Sequence, residues 1–120
     1  MISKHVLIAD DSPFVRDQFR VLFEQIPGCT VSEAKDGFQA LEKSARLHPD
    51  IVVLDYSMPG MDGLNAARQL RRDSPEIPLV LFSVDASPWL RDMARQNGVA
   101  AVFSKLQWAE LRDFVSGRLC

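Results

Sequence analysis

Short apolar runs alternate along the chain with longer stretches in which apolar residues recur every three or four positions. The runs lie at 6–9, 29–34, 51–54, 79–82 and 100–103. A continuous apolar run is typical of a strand that is covered on both faces, as in a parallel sheet. A run of four also fits a buried helix. The turn-forming residues that stand before the later runs, among them Pro27-Gly28 and Asn97-Gly98, favour strands.

The stretches between the runs predict helices with one apolar face. In the first, Val15, Phe19 and Phe23 share a face, and Pro13 suits the opening turn. Asp36 is a suitable cap for the second. The predicted helices lie at about 13–26, 38–47, 64–72, 88–97 and 108–119.

Five strands in strict alternation with five helices predict an α/β fold, in which helices cover both faces of a doubly wound parallel sheet. The crossover connections are expected to be right-handed. The chain has 120 residues, which is the length of one domain. Because the last predicted helix uses up the C-terminus, we expect a single domain over residues 1–120.

Composition excludes several classes of protein. Apolar residues make up 47% of the chain and the net charge is −2, so no basic surface for direct nucleic-acid binding is expected. No apolar run approaches the roughly 18 residues of a membrane span. The two cysteines, Cys29 and Cys120, form no Cys-x-x-Cys pair that would indicate a zinc site. We therefore expect a cytoplasmic protein without membrane contact.

Polar side chains follow four of the five predicted strands. Asp10 and Asp11 follow the first strand, and Asp55 follows the third. Ser83 follows the fourth strand, and Lys105 follows the fifth. Because the carboxyl ends of parallel strands meet at one edge of a sheet, we expect these side chains to converge.

The chemistry of this set favours phosphoryl transfer. Carboxylate oxygens suit Mg²⁺, an ammonium holds a phosphate oxygen, and an aspartate can itself accept a phosphoryl group. Asp55 is the candidate acceptor because it is single and central, whereas the pair Asp10 and Asp11 suits the metal. An aspartate at a strand end is also a common turn former, and Asp11 with Ser12-Pro13 fits a helix cap.

Three segments together resemble the signature of response-regulator receiver domains of two-component signalling. They are LIADDS at 7–12, HPDIVVLD at 48–55 and MPGMDG at 58–63. The resemblance covers essentially the whole chain. It implies the flavodoxin-like receiver fold, with five parallel strands in the order 2-1-3-4-5 and five helices.

The resemblance also implies a site. In receivers the aspartate that matches Asp55 accepts a phosphoryl group from a sensor histidine kinase or a phosphotransfer protein. The carboxylates that match Asp10, Asp11 and Asp55 hold Mg²⁺ together with a backbone carbonyl, which here belongs to Ser57.

Two further residues complete the implied site and its output. Those that match Ser83 and Lys105 contact the phosphoryl oxygens. Phosphorylation then changes a face built from the fourth helix, the fifth strand and the fifth helix, which binds an effector protein or a second copy. The chain would promote its own phosphorylation and dephosphorylation without being a turnover enzyme.

The sequence departs from the usual receiver pattern at three positions. Leu106 follows Lys105 where receivers usually carry proline, and a trans bond is expected because a non-proline cis bond costs about 2.5–4 kcal/mol. Val102 stands where receivers often carry an aromatic residue, and Phe103 should face the opposite side of the sheet. Val84 replaces the usual alanine or glycine after the hydroxyl. It should narrow access to Asp55 and slow both reaction with small donors and loss of phosphate.

Other residues carry weaker expectations. Asp85 either orients a water for dephosphorylation or forms a turn. Trp108 is expected in the core, while Trp89, next to a helix start, is expected to be exposed and a candidate for partner contact. Four arginines are interpreted as solvated helix residues: Arg16, Arg68, Arg71 and Arg72.

Two alternatives to a phosphorylated receiver stay open. Haloacid-dehalogenase-like phosphatases also form an aspartyl-phosphate, but they need a second aspartate where this chain has Ser57. A pseudo-receiver would keep the fold and act by binding alone. The residues Val84, Val102 and Leu106 keep that second alternative open.

Overall fold

Ten elements alternate along the chain as strand and helix. The computed structural model describes residues 3–119, so Cys120 lies outside the described residues. The strands are β1 (Lys4–Ala9), β2 (Cys29–Ala34), β3 (Ile51–Asp55), β4 (Leu79–Ser83) and β5 (Ala101–Ser104). The helices are α1 (Pro13–Glu24), α2 (Gly37–Leu47), α3 (Gly63–Asp73), α4 (Pro88–Gln96) and α5 (Trp108–Leu119). The predicted alternation is confirmed, with bounds that shift by one or two residues.

The strands form one parallel sheet in the order β2-β1-β3-β4-β5. The order expected from the resemblance is thus confirmed. Val6 pairs with Val31 on one side and with Ile51 on the other, so β1 lies between β2 and β3. The chain runs from β1 outward to β2 and then returns past β1 to β3. This reversal leaves a crevice at the carboxyl ends of β1 and β3, where sheets of this type place their ligands.

Two apolar cores cover the two faces of the sheet. On one face, strand residues such as Leu54 and Leu81 pack with residues of α2, α3 and α4. On the other, Val53 and Phe82 pack with residues of α1 and α5. Successive residues of β3 and β4 therefore enter opposite cores and are buried throughout. This two-sided burial explains why the strands read as continuous apolar runs.

Side-chain caps fix where α1 to α4 begin. In each case the residue before the helix accepts a hydrogen bond from a backbone N–H of the first turn; the caps are Ser12, Asp36, Asp62 and Ser87. At α1 the cap is Ser12, whose Oγ accepts from the N–H of Val15 at 3.3 Å. Asp11 is therefore not the cap of this helix.

Gly63 sets the close approach of α3 to the end of β3. Its N–H donates to the carbonyl of Tyr56 at 2.8 Å. A Cβ at this position would lie 2.5 Å from the carbonyl oxygen of Asp55, closer than non-bonded atoms allow. The glycine thus permits the tight connection that holds Asp55 in place.

Aromatic rings pack together in the core between the sheet and helices α1 and α5. The ring of Trp108 lies 5.0 Å from that of Phe19 and 5.0 Å from that of Phe82. The expectation that Trp108 belongs to the core is confirmed. Contacts of this kind add about 0.5–1.5 kcal/mol per pair beyond the area that they bury.

The predictions for β5 and the residues after it are also confirmed. Val102 is buried in one core, whereas Phe103 packs in the other against Phe114, with ring centroids 5.6 Å apart. The Lys105-Leu106 bond is trans, since residues 3–119 contain no cis peptide bond. Within the same residues, no helix has both the length and the apolar character to cross a bilayer.

A buried hydroxyl on α2 gives a test of the packing. Ser44 is 1% exposed, and its Oγ has no hydrogen-bond partner among the described residues. We expect Ser44→Ala to raise the free energy of unfolding by about 1 kcal/mol, because it removes a polar group that is buried without a bond. Urea denaturation monitored by circular dichroism measures this change.

The matched control for this test is Ser116→Ala on α5, since Ser116 is a half-exposed serine in a helix. It reports the gain in helix propensity alone, which is at most about 0.5 kcal/mol. A gain from Ser44→Ala no larger than the control, or a loss, would contradict the prediction.

Candidate functional site

Three carboxylates meet at the carboxyl edge of the sheet. One oxygen from each of Asp10, Asp11 and Asp55 lies within 4.8 Å of the others. The pairing of Ala9 with Leu54 explains this convergence, because the residues that follow them reach the same end of the sheet. Asp10 and Asp55 are 0% and 3% exposed, whereas Asp11 faces solvent. The cluster therefore has a buried pair and an open side.

Lys105 neutralises part of this charge. Its Nζ lies 3.3 Å from Oδ2 of Asp10 and 3.3 Å from Oδ1 of Asp55. The ammonium also lies 5.7 Å from the ring centroid of Phe82, a cation–π distance. Its backbone N–H donates to the carbonyl of Ser83 at 2.8 Å. With all three carboxylates ionised, one ammonium leaves two negative charges unbalanced.

This imbalance changes the acidity of Asp55. Burial and the neighbouring carboxylate of Asp10 raise the pKa of Asp55 from 3.8 to about 6, although Lys105 and the N–H of Ser57 oppose the shift. The Ser57 N–H lies 3.4 Å from Oδ1 of Asp55. At neutral pH Asp55 is thus mainly a buried anion with incomplete compensation. A divalent cation would balance the two residual charges, and carboxylate oxygens are ligands that Mg²⁺ prefers, so this donor set fits such an ion.

The hydroxyl of Ser83 is engaged in a local turn. Its Oγ donates to the carbonyl of Asp85 at 3.0 Å and accepts from the N–H of Asp85 at 3.3 Å. Ser83 is 5% exposed, while Asp85 is exposed. The backbone of Asp85 thus forms the turn that the sequence offered as one interpretation of this residue.

A cavity of about 400 Å³ opens beside Asp55. Its polar lining residues include Asp55, Ser83 and Lys105, and its apolar lining residues include Val84 and Trp89. Together the acid cluster and this cavity bring the six predicted site residues to one edge: Asp10, Asp11, Asp55, Ser57, Ser83 and Lys105.

The cavity gives Trp89 a position that the sequence did not reveal. Its predicted exposure is confirmed at 59%, and Trp89 also lines the same cavity as Asp55. Part of this position could have been predicted from the sequence. Ser87 caps α4 and Pro88 opens it, so the first turn of α4 begins at the carboxyl edge, just after β4.

The interpretation of Arg16 as a solvated helix residue is wrong. Its side chain is only 17% exposed, and Nη1 donates to the carbonyl of Asp10 at 2.8 Å. Its Nε donates to Glu33 at 3.0 Å, and the other carboxylate oxygen of Glu33 accepts from Arg20 at 2.7 Å. Burial would raise the pKa of Glu33, but these hydrogen bonds hold it below its usual value. Arg16 therefore tethers the backbone that carries Asp10 to β2.

The remaining arginines of that set are exposed, as expected: Arg68, Arg71 and Arg72.

Comparison with known proteins agrees with this geometry. The sequence model of the response regulator receiver domain matches residues 6–115. The chain belongs to the response regulator receiver family. Receiver domains of this family act in two-component signalling, where they interact with histidine kinases and effector domains.

Individual relatives show the extent of the similarity. The chain is 37% identical over 112 residues to protein-glutamate methylesterase/protein-glutamine glutaminase 4 of Myxococcus xanthus, covering 91% of this chain and 31% of that protein. It is 42% identical over 84 residues to the nitrate/nitrite response regulator NarP of Escherichia coli, covering 68% and 39%. The receiver spans less than a third of the methylesterase relatives, down to 20% for that of Alkalilimnicola ehrlichii.

A solved structure extends the likeness to the fold. The two-component response regulator of the LuxR family from Aurantimonas sp. SI85-9A1 superposes with a TM-score of 0.92. The two chains share 29% identity, and the match covers 98% of this chain and 86% of that one.

The raised pKa of Asp55 predicts a pH-dependent stability. The pKa of Asp55 in the folded protein, about 6, lies above the ordinary 3.8. The carboxyl group therefore does not reduce the free energy of unfolding below pH 4, where it is protonated in both states, and this stability is lost as pH rises through 6 and the buried group ionises. In metal-free protein we expect Asp55→Asn to raise the free energy of unfolding at pH 7.5, by up to about 3 kcal/mol, and progressively less towards pH 4. Urea denaturation with a chelator across this range measures the difference.

Asp17→Asn, at an exposed carboxylate on α1, is the control. A gain from Asp55→Asn that is equal at pH 4 and pH 7.5 would contradict the assignment of the shift to the buried charge.

Proposed function

We propose that this receiver is a phosphorylation switch, in which Asp55 accepts a phosphoryl group from the phosphohistidine of a sensor histidine kinase or a phosphotransfer protein. The position of Asp55 carries the proposal. Its carboxylate ends the central strand β3, contacts Lys105 and borders a cavity of about 400 Å³. A nucleophile needs this combination of a fixed carboxylate, a nearby cation and room for the donor.

The same proposal assigns a magnesium site. Asp10, Asp11 and Asp55 would hold Mg²⁺ with their carboxylates, and Ser57 with its backbone carbonyl. The two unbalanced negative charges of the cluster and its open side at Asp11 support this assignment. When bound, Mg²⁺ neutralises these charges and attracts the phosphoryl oxygens.

Asp55 and its neighbours then carry out the transfer. A carboxylate oxygen of Asp55 forms a bond to phosphorus as the phosphorus–nitrogen bond breaks, and the bonding electron pair leaves with the imidazole. Lys105 already contacts Asp55 and would bind an oxygen of the new phosphoryl group. The hydroxyl of Ser83 must give up its hydrogen bond to the carbonyl of Asp85 before it donates to the phosphoryl group.

These rearrangements lead to the output surface. Ser83 precedes α4 and Lys105 follows β5, so movement of both side chains affects the segments that lead into α4 and α5. Phosphorylation would thus shift the population of conformations of the α4–β5–α5 face, which binds an effector protein or a second copy. Val102 has no ring that could swing, and Phe103 is packed against Phe114, so the signal would pass through the loops.

The proposal does not include turnover of a substrate. The methylesterase activity named for relatives belongs to proteins of which this chain matches less than a third. Haloacid-dehalogenase-like phosphatases need a second aspartate where Ser57 stands. We further propose that residues 1–120 form one receiver domain. Because histidine kinases draw their phosphoryl group from ATP, we place it in the cytoplasm.

Intact mass spectrometry tests the switch. With Mg²⁺ and either acetyl phosphate or a phosphorylated histidine kinase, we expect the wild type to gain one phosphoryl group and Asp55→Ala to gain none. A chelator should abolish the gain, because the carboxylates would then repel the incoming phosphate.

Asp85→Asn is the matched control, since Asp85 is an exposed carboxylate beside the same cavity and should not be needed as acceptor. A wild type that gains no mass from either donor and binds no Mg²⁺ in calorimetry would overturn the proposal in favour of the pseudo-receiver. Hydrolysis of phosphate monoesters with turnover would favour the phosphatase.

Val84 gives a test of access to the acceptor. It lines the cavity with Asp55 and is 80% exposed, so it stands at the mouth and not in the core. We expect Val84→Ala to speed phosphorylation by acetyl phosphate and subsequent loss of phosphate several-fold, because both steps need an approach to Asp55. Mass spectrometry over time measures both rates.

Leu106→Ala removes another exposed apolar side chain that is not among the cavity residues described, and should leave both rates unchanged. Equal rates for Val84→Ala and the wild type would contradict the role of Val84.

A further inference from the structure

The cavity beside Asp55 is lined by two chemically different kinds of residue. Asp55, Ser83 and Lys105, which we call the floor, are the polar residues that would hold a phosphoryl group. Val84 and Trp89, which we call the wall, are apolar lining residues. The floor supplies the acceptor and the groups that would contact the phosphoryl oxygens, and Trp89 has no part in the chemistry described above.

The position of Trp89 is fixed by its helix. It is the second residue of α4, whose start is capped by Ser87 and opened by Pro88. Its side chain is 59% exposed, which leaves part of the indole free for contact. A cavity of about 400 Å³ falls within the range of small-ligand pockets and has room for a five-membered ring beside a phosphoryl group.

We infer that Trp89 is a specificity-determining residue that contacts the imidazole ring of the phosphoryl donor, so that the domain prefers donors in which the phosphoryl nitrogen belongs to an aromatic ring. The inference rests on the proposed function. With phosphorus held by the floor residues, the ring of such a donor would occupy the rest of the cavity, which Trp89 also lines. An indole attracts aromatic rings, and attracts a protonated imidazole more strongly through its π face.

Two small donors can each transfer a phosphoryl group to Asp55 and release a neutral leaving group. In monophosphoimidazole the phosphorus–nitrogen bond breaks as the Asp55 oxygen bonds to phosphorus, and the ring, protonated on its second nitrogen, leaves as neutral imidazole. In phosphoramidate the same bond breaks at a protonated nitrogen that leaves as ammonia. The two donors share the bond and differ in the ring, so their rate ratio isolates the contact with the ring.

The experiment compares second-order rate constants of Asp55 phosphorylation by the two donors with Mg²⁺ present, measured by intact mass on the full chain. We expect Trp89→Ala to lower the ratio of the monophosphoimidazole rate to the phosphoramidate rate by about two- to tenfold, the range for loss of one aromatic contact. Trp89→Phe keeps an aromatic face and should retain most of the wild-type ratio.

Phe38→Ala is the matched control. Phe38 is also the second residue of its helix, is 58% exposed, and is not among the cavity residues described. We expect Phe38→Ala to keep the wild-type ratio of the monophosphoimidazole rate to the phosphoramidate rate.

A ratio in Trp89→Ala that equals the wild-type ratio would overturn the inference alone. If both rates also match the wild type, Trp89 contacts neither donor; if both fall equally, Trp89 supports the shape of the site and does not contact the ring. A wild type that neither donor phosphorylates would contradict the proposed function, and this inference with it.

Discussion

The rest of this structure has to accommodate two carboxylates that are buried side by side. Asp10 and Asp55 lie at the ends of adjacent strands, almost without contact to solvent. Burial removes the hydration of each carboxylate, and the two negative charges repel each other. The ammonium of Lys105, equally distant from both, relieves part of this repulsion. The site thus exists only where the surrounding fold can offset a locally unfavourable arrangement.

The sheet supplies that offset. Strands β3 and β4 are buried along their whole length, between two apolar cores. The unfavourable charge is confined to one edge, where Gly63 closes the β3–α3 connection and Arg16 anchors the carbonyl of Asp10. Stability and function are therefore separated in space, as is common when a fold carries a destabilised site.

The sequence was sufficient for the elements and for the edge on which the site lies. Continuous apolar runs with breakers before them defined the strands, and the parallel arrangement brought Asp10, Asp55 and Lys105 together without knowledge of the strand order. That order came from the resemblance, because local patterns carry no information about which strands are neighbours. The contact of Arg16 with Asp10 was missed for the same reason, since it depends on how α1 packs beside β2.

The site also contains features that only a three-dimensional structure reveals. The turn between Ser83 and Asp85 occupies the hydroxyl that was assigned to phosphate. The apolar wall at Trp89 depends on where α4 begins relative to the end of β4. Both are set by short loops, where one residue more or less would redirect a side chain.

The ammonium that joins the two buried carboxylates comes from far along the chain, since Lys105 is 95 residues from Asp10. Because Lys105 follows β5, a chain folded only as far as β4 would bring the two acids together without this cation. Their mutual repulsion is relieved only when β5 joins β4 at the edge of the sheet. The pairing of β5 with β4 therefore completes the sheet and the charge balance of the acid cluster in one step.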